Sequence, residues 1–308
     1  MPTQIIAQPG APETTYKARE VEGILDLYFY RKIGYWLAQV FARLKITPTA
    51  VSLFGALCGV IAGHLYYYRN LGINIAGMSL HVWTNVLDNA DGQLARLTGV
   101  GSRKGRVIDS LADHLIFVSI YVHLALRCSA EGASPLVYLL VVAAGISDAL
   151  QGAAADYYRA SYLYFVKGRS FVDLDSSAAL RSDYEELSWR DQPWHKLLLA
   201  LYLNFTRQQE MLAPRLKRLR EISIRSFPHG IPERFSARYQ RSARPMFKLW
   251  GLLMTNTRML ILFTVLLIGR PVWYFWTEVT VLNLLLVWLI YRQEEMSQSL
   301  LELATTTR

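Results

Sequence analysis

Two short runs of sequence lie eight residues apart in the first half of the chain: Asp88-Asn89-Ala90-Asp91-Gly92-Gln93-Leu94-Ala95-Arg96 and Gly105-Arg106-Val107-Ile108-Asp109-Ser110-Leu111-Ala112-Asp113. The aspartates are three residues apart in the first run and four apart in the second, so each pair shares one face of a helix. A short loop between the two helices would bring all four carboxylates together. The spacing therefore predicts a helical hairpin with an acidic cluster.

Four carboxylates at close range raise one another's pKa unless cations neutralise them. Mg²⁺ and Mn²⁺ take oxygen ligands, and a pair of such ions suits phosphoryl chemistry. The neighbouring residues fit a nucleotide: Gly92 and Ala95 leave room for a ligand, Arg96 offers a fork to phosphate, and Gly105 opens a helix whose free amides favour anions. The alternative is a hairpin whose acidic side chains are solvated and have no function. Acidic residues beside apolar spans cost free energy to place there, however, and usually have a functional role.

The composition around this hairpin indicates a membrane protein. The 308 residues are 52% hydrophobic and 19% charged, and the mean hydropathy is +0.18. The net charge of +9 accompanies long apolar runs, which favours lipid headgroups and phosphorylated substrates as partners over nucleic acid. Two cysteines give neither a disulfide framework nor a zinc spacing.

Six stretches approach the roughly 20 apolar residues that a transmembrane helix needs. They are residues 46–68, 72–86, 115–126, 135–154, 249–269 and 271–291. The third reaches spanning length only if the second aspartate pair belongs to the same helix. One set of loops holds most of the basic residues, so the positive-inside rule places both termini and the acidic hairpin in the cytoplasm.

We therefore predict an all-α integral membrane protein with about six transmembrane helices. Thr47 and Pro48 are typical of a helix start and precede the first span. The predicted segments are a flexible tail (1–20), an interfacial amphipathic helix (21–45), a catalytic core with spans one to four (46–166), a helical cytoplasmic insert (167–245), spans five and six (246–293) and a C-terminal tail (294–308). Apolar residues at helical spacing from Trp194 to Leu212 predict an amphipathic helix within the insert.

Together the two runs read Asp-x-x-Asp-Gly-x-x-Ala-Arg, eight residues, Gly-x-x-x-Asp-x-x-x-Asp, which resembles the signature of the CDP-alcohol phosphotransferase family. The resemblance covers about residues 46–115 and is weak over the insert. It implies that a CDP-linked substrate, often CDP-diacylglycerol, gives its phosphatidyl group to an alcohol and releases CMP. It also implies that Asp88, Asp91 and Asp109 bind two metal ions, and that Asp113 binds metal and acts as a general base. The CDP contacts that it implies are Asp91, Gly92, Ala95, Arg96 and Gly105.

Two basic residues are candidates for the pocket of the acceptor alcohol. Arg159 follows the fourth span, and the resemblance implies that a basic residue near this point can contact the phosphate of an acceptor that has one. Alternatively, Arg159 anchors the helix at the membrane surface or pairs with Asp156. Arg258 lies inside the fifth span, where it would line the acceptor pocket or pair with Asp148. These basic residues suggest that the acceptor is phosphorylated.

Three functions remain open on the sequence alone. The first is a phosphatidyltransferase that uses CDP-diacylglycerol and a small polar alcohol. The second reverses the roles, so that a soluble CDP-alcohol such as CDP-choline or CDP-ethanolamine gives its headgroup to a lipid alcohol. The third is a transporter or membrane scaffold, which would explain Asp148, Arg258 and Glu278 but not the motif. A run of small residues in the fourth span, with the family resemblance, is compatible with a homodimer.

Overall fold

The computed structural model describes residues 23–100, 103–168, 172, 174–228 and 230–306; the predicted tail at 1–20 lies outside these residues. The described part contains helices and no strand, which confirms the all-α prediction. A π-helical turn at Asp26–Tyr30 leads directly into the first α-helix, and a second one at Glu278–Leu282 leads into the last. The α-helices are α1 (Arg31–Arg43), α2 (Pro48–Leu65), α3 (Leu71–Thr98), α4 (Arg103–Ala130), α5 (Val137–Lys167), α6 (Ser177–Glu186), α7 (Pro193–Leu212), α8 (Pro214–Ser226), α9 (Glu233–Trp250), α10 (Thr255–Leu267), α11 (Val272–Thr277) and α12 (Asn283–Thr306).

Four helical segments are long and apolar enough to cross a membrane: Pro48–Leu65, Leu111–Ala130, Val137–Lys167 and Val272–Leu303. A fifth candidate joins Glu233–Leu253 to Thr255–Leu267 across a break. The predicted second span lies in α3, which is not among these candidates. The predicted fifth span is interrupted by a 3-10 turn and by the extended backbone of Met254. The described residues thus hold four or five candidate spans, and the count of six stays a prediction.

The chain divides into two compact units, and the first comprises Met1–Val142 and Met259–Phe275. Within it α1 packs on α3 through a core of Tyr30, Leu37, Val86 and Ala90. Gly34 lies directly on the α3 backbone, since a Cβ there would come within 3.1 Å of the Ala90 amide nitrogen. The predicted amphipathic helix is therefore present, and its buried face holds the motif helix α3.

Helix α2 begins as predicted, with Pro48 in its first turn and the Thr47 side chain accepting a hydrogen bond from the Ala50 amide at 3.3 Å. Further along, Gly59 and Gly63 face α4, where a Cβ would stand only 2.6 Å from side-chain atoms of Ile116 and Ser119 respectively. These glycines let the two helices approach closely, and the contact fixes α4 and its aspartates against α2.

The second unit comprises Ala143–Arg258 and Trp276–Arg308. Helix α9 packs beside the end of α5, where the rings of Phe165 and Tyr239 stack with centroids 4.5 Å apart, and those of Tyr158 and Trp250 lie 4.4 Å apart. Since α9 continues past residue 245, the predicted end of the insert falls inside a helix.

Helix α7 confirms the amphipathic helix predicted from the apolar spacing, and a buried carboxylate fixes it in place. Glu210 accepts hydrogen bonds from the Ser177 hydroxyl (2.6 Å) and from the ammonium of Lys217 (2.7 Å), and pairs with Arg220 at 3.2 Å. Burial raises the pKa of the Glu210 carboxyl, but the bonds from Lys217 and Ser177 lower it more, so the pKa lies below its usual 4.5. The described residues of the insert therefore belong to the second unit.

Candidate active site

The four motif aspartates lie on two long helices joined by a short loop. Asp88 and Asp91 belong to α3, which ends at Gly99 with a left-handed backbone (φ 67°). Left-handed backbone favours glycine, so this residue suits the end of the helix. Asp109 and Asp113 belong to α4 together with the apolar segment that follows. The second aspartate pair therefore lies in the same helix as the third predicted span.

The carboxylates converge as the spacing predicts. Oxygen atoms of Asp88, Asp91 and Asp109 all lie within 4.8 Å of one another, and Asp113 lines the same cavity. Asp91 is only 5% exposed, so its charge is poorly solvated. A cluster of hard oxygen donors with excess negative charge fits a divalent cation such as Mg²⁺ or Mn²⁺. The donor set agrees with the predicted metal site.

A residue outside the motif also belongs to this cavity. The Ser52 hydroxyl, on α2, donates to Asp91 Oδ2 at 2.5 Å, which fixes one oxygen of that carboxylate. Thr84 lines the cavity too, and its hydroxyl donates to the Gly55 carbonyl at 3.3 Å, tying α3 to α2. The motif gives no signal for Ser52, because this serine is 39 residues earlier in the chain. Its position in the second turn of a helix rich in small residues is the sequence feature that marks it.

The predicted CDP contacts lie beside the aspartates on the same two helices. The Arg96 guanidinium lies over Gly92, since a Cβ on this glycine would meet it at 3.5 Å and nothing nearer. Arg96 is exposed, whereas Ala95 and Gly105 are half-buried. On the opposite side of α3, the Gln93 side chain donates to the Arg31 carbonyl at 3.1 Å. Helix α1 therefore holds one side of α3 while the side with Gly92 stays open to a ligand.

Comparison with known proteins agrees with this geometry. Residues 45–162 match the CDP-alcohol phosphatidyltransferase family. This segment contains α2, α3 and α4 with all four aspartates and Ser52.

Two relatives are similar to part of this chain. Archaetidylinositol phosphate synthase from Pyrococcus horikoshii is 37% identical over 90 residues, which are 29% of this chain and 46% of the relative. Phosphatidylinositol phosphate synthase from Mycobacteroides abscessus is 29% identical over 111 residues, which are 34% of this chain and 46% of the relative. The chain thus spans about half the length of each relative that it matches.

The two acceptor-pocket candidates both lie in the second unit. Arg159 falls within residues 45–162, which match the family, and it is half-buried. Arg258 lies beyond that segment and forms an ion pair with Asp148, as the structural alternative predicts. It also donates to Gln151 Oε1 at 2.8 Å, and its Nε lies 3.7 Å from the Glu278 carboxylate. Arg258 is thus engaged within a buried polar network.

Proposed function

We propose that this protein is a phosphatidyltransferase that moves a phosphatidyl group from CDP-diacylglycerol to a small polar alcohol and releases CMP. The observation that carries the proposal is the convergence of the motif aspartates across α3 and α4, inside residues 45–162, which match the CDP-alcohol phosphatidyltransferase family. A transporter or scaffold would need neither this cluster nor the open face at Gly92. The apolar helices support an integral membrane location, and we propose that the site and both termini are cytoplasmic.

Asp88, Asp91, Asp109 and Asp113 would hold a pair of divalent cations, Mg²⁺ or Mn²⁺. When bound, these ions supply charge neutralisation for the pyrophosphate of the donor. The chain's own contribution is to keep the carboxylates in place: α2 packs against α4 through its glycines, and Ser52 holds one oxygen of Asp91. Such support for a ligand is typical of metal sites that must keep their geometry.

Asp113 would also take the proton from the acceptor hydroxyl. The acceptor oxygen then forms a bond to the phosphorus that carries diacylglycerol, and the bond from this phosphorus to the oxygen of CMP breaks. CMP leaves with both electrons of that bond, and the proton on Asp113 passes to solvent. Proton removal by a positioned carboxylate contributes typically 10²–10⁴-fold to such a step.

Gly92, Ala95, Arg96 and Gly105, with Asp91, would bind the CDP portion of the donor. Arg96 is exposed beside Gly92, where its guanidinium can reach a phosphate of a ligand lying on the glycine. The small side of α3 at Gly92 and Ala95 would let the nucleotide approach the helix backbone. These residues would recognise only the CDP portion of the donor, so the choice of acceptor alcohol depends on other residues.

The acceptor is proposed to be a phosphorylated polyol of the inositol phosphate type. Both relatives are named for the synthesis of an inositol phosphate lipid, and Arg159 offers a charge for an acceptor phosphate. Arg258 is the weaker candidate, because contact with the acceptor would require it to leave Asp148 and Gln151. We assign it to the support of the spans.

CMP release tests the proposal. Purified protein in lipid nanodiscs is incubated with Mg²⁺, CDP-diacylglycerol and a panel of acceptors that includes inositol phosphate, inositol and glycerol phosphate. We expect CMP release with one phosphorylated acceptor. CMP release only from CDP-choline or CDP-ethanolamine with diacylglycerol would support the reversed roles. No CMP release with any pair of substrates would contradict the proposal that the protein is an enzyme of this kind. Asp113→Asn should lose this CMP release. Asp183→Asn, at an exposed aspartate of α6, is its matched control and should keep it.

A further inference from the structure

Helix α7 carries an exposed apolar face on the side opposite its buried face. Trp194 is 77% exposed and Leu201 60% exposed, although both are large apolar side chains. The residues that make up this face are Trp194, Leu197, Leu198, Leu201 and Tyr202. Their spacing of three or four residues forms one continuous stripe along a helix. An apolar surface of this kind marks an interaction site rather than a solvated helix.

The stripe cannot turn inward, because the opposite face of α7 is fixed. Leu203, Thr206 and Glu210 are buried at 2–5% exposure, and they recur at three and four residues. Glu210 holds this face through Ser177, Lys217 and Arg220, as described above. The outward direction of the stripe is therefore built into the fold and needs a partner from outside the second unit's own core.

Helix α7 leads at its C-terminal end into α8, and the start of α8 is bonded to α12. The amide groups of Arg215 and Leu216, at the start of α8, donate to the Glu294 carboxylate at 2.7 and 3.2 Å. Glu294 follows Tyr291 by three residues, about 4.5 Å along the helix. Tyr291 and Trp288 are exposed on a candidate span, and such aromatic residues are typical of the membrane–water boundary. The junction of α7 and α8 therefore lies at that boundary.

The charge of α7 and its flanks also suits a lipid surface. Glu210 is the only acidic residue of α7, and it is buried. Arg190, Arg207 and Arg215 are exposed before, within and after the helix, whereas the exposed acid beside its start is Asp191. Basic residues beside an apolar helical face favour the headgroups of anionic phospholipids. At 20 residues, α7 is long enough to lie across several lipids, and it is not among the candidate spans.

We propose that α7 is a monotopic membrane helix: its Trp194–Tyr202 stripe inserts at the boundary between headgroups and acyl chains of anionic phospholipids. This gives the segment between the fourth and fifth predicted spans a role as a second membrane contact, in addition to the spans. The inference is independent of the proposed reaction, because none of its residues belongs to the aspartate site.

Nitroxide accessibility tests the proposal on the full chain. Leu201→Cys carries the spin label on the stripe, and Arg207→Cys carries it about 120° around the same helix. The native Cys58 and Cys128 are buried, and the unchanged chain measures their background labelling. The protein is placed in nanodiscs of phosphatidylcholine and phosphatidylglycerol. Collision rates with oxygen, which partitions into lipid, and with a water-soluble nickel chelate are then compared.

We expect the oxygen-to-nickel ratio at Leu201→Cys to be several-fold higher than at Arg207→Cys. Equal ratios at the two positions would place the stripe in water and overturn the proposal. Spin–spin broadening at Leu201→Cys that disappears on dilution with unlabelled protein would show that a second copy covers the stripe, which also overturns it. If Leu201→Cys does not elute as a folded species, Trp194→Cys serves as the stripe position.

Discussion

Ser52 gives the sharpest test of how the chain supports its metal site. Its hydroxyl donates to Asp91 Oδ2 at 2.5 Å, and Asp91 is buried. A hydrogen bond to a charged group contributes about 1.5–3 kcal/mol. Each ~1.4 kcal/mol corresponds to a factor of ten in an equilibrium constant. If this contribution is lost from the metal-binding arrangement, Ser52→Ala should weaken metal binding about 10–100-fold, which is the usual range for a lost supporting contact.

The assay is CMP release at saturating donor and acceptor with increasing Mg²⁺. We expect Ser52→Ala to raise the half-saturating Mg²⁺ concentration by that factor, while the rate at saturating Mg²⁺ falls less. Ser119→Ala is the matched control, because Ser119 is a buried serine of the same unit whose hydroxyl donates to the Val60 carbonyl at 2.9 Å. An unchanged half-saturating concentration in Ser52→Ala would refute the idea that this hydroxyl supports a metal ligand.

Three further predictions concern the nucleotide face, the buried ion network and the insert. Gly92→Ala should raise the KM for the CDP donor without changing the melting temperature, because the added Cβ meets only a flexible guanidinium at 3.5 Å. Gly59→Ala should instead lower the melting temperature, because its Cβ would lie 2.6 Å from a neighbouring side chain. The opposite pattern would contradict this assignment. Arg258→Met should cost about 3–5 kcal/mol of unfolding free energy in detergent, because it leaves buried acids without their cation. Arg292→Met, at an exposed ion pair, should cost at most about 1 kcal/mol. Equal losses would argue against a stabilising network around Arg258. The pKa of Glu210 is lowered in the folded protein, so the stability that its carboxylate contributes is present above about pH 4.5 and is lost as pH falls through the folded pKa. The difference in melting temperature between wild type and Glu210→Gln should therefore shrink below pH 4.5. A difference independent of pH would contradict the idea that Glu210 stabilises the fold as an ionised carboxylate.

Local patterns of the sequence predict much of the fold because they depend on neighbours along the helix. The Thr47 cap, the amphipathic helix before the first span and α7 follow from spacings of three or four residues. The aspartate hairpin also follows, since two helices joined by a short loop must lie side by side. These features require no knowledge of distant contacts.

The rest depends on packing between distant parts of the chain. Ser52 reaches Asp91 only because glycines on α2 allow close contact with its neighbours. The predicted fifth span looked continuous, but the helix breaks at Met254. The insert is predicted to end at residue 245, where the charged region gives way to the fifth span. Instead α9 runs through this residue, held by the packing of Tyr239 and Trp250 on α5.

Asp113 carries the central claim, since it is proposed to take the proton from the acceptor. The most direct measurement is CMP release by Asp113→Asn in nanodiscs, with saturating Mg²⁺, CDP-diacylglycerol and the acceptor that wild type prefers. We predict a loss of about 10²–10⁴-fold in rate, with an unchanged elution profile and melting temperature. CMP release at the wild-type rate from folded Asp113→Asn would contradict the account.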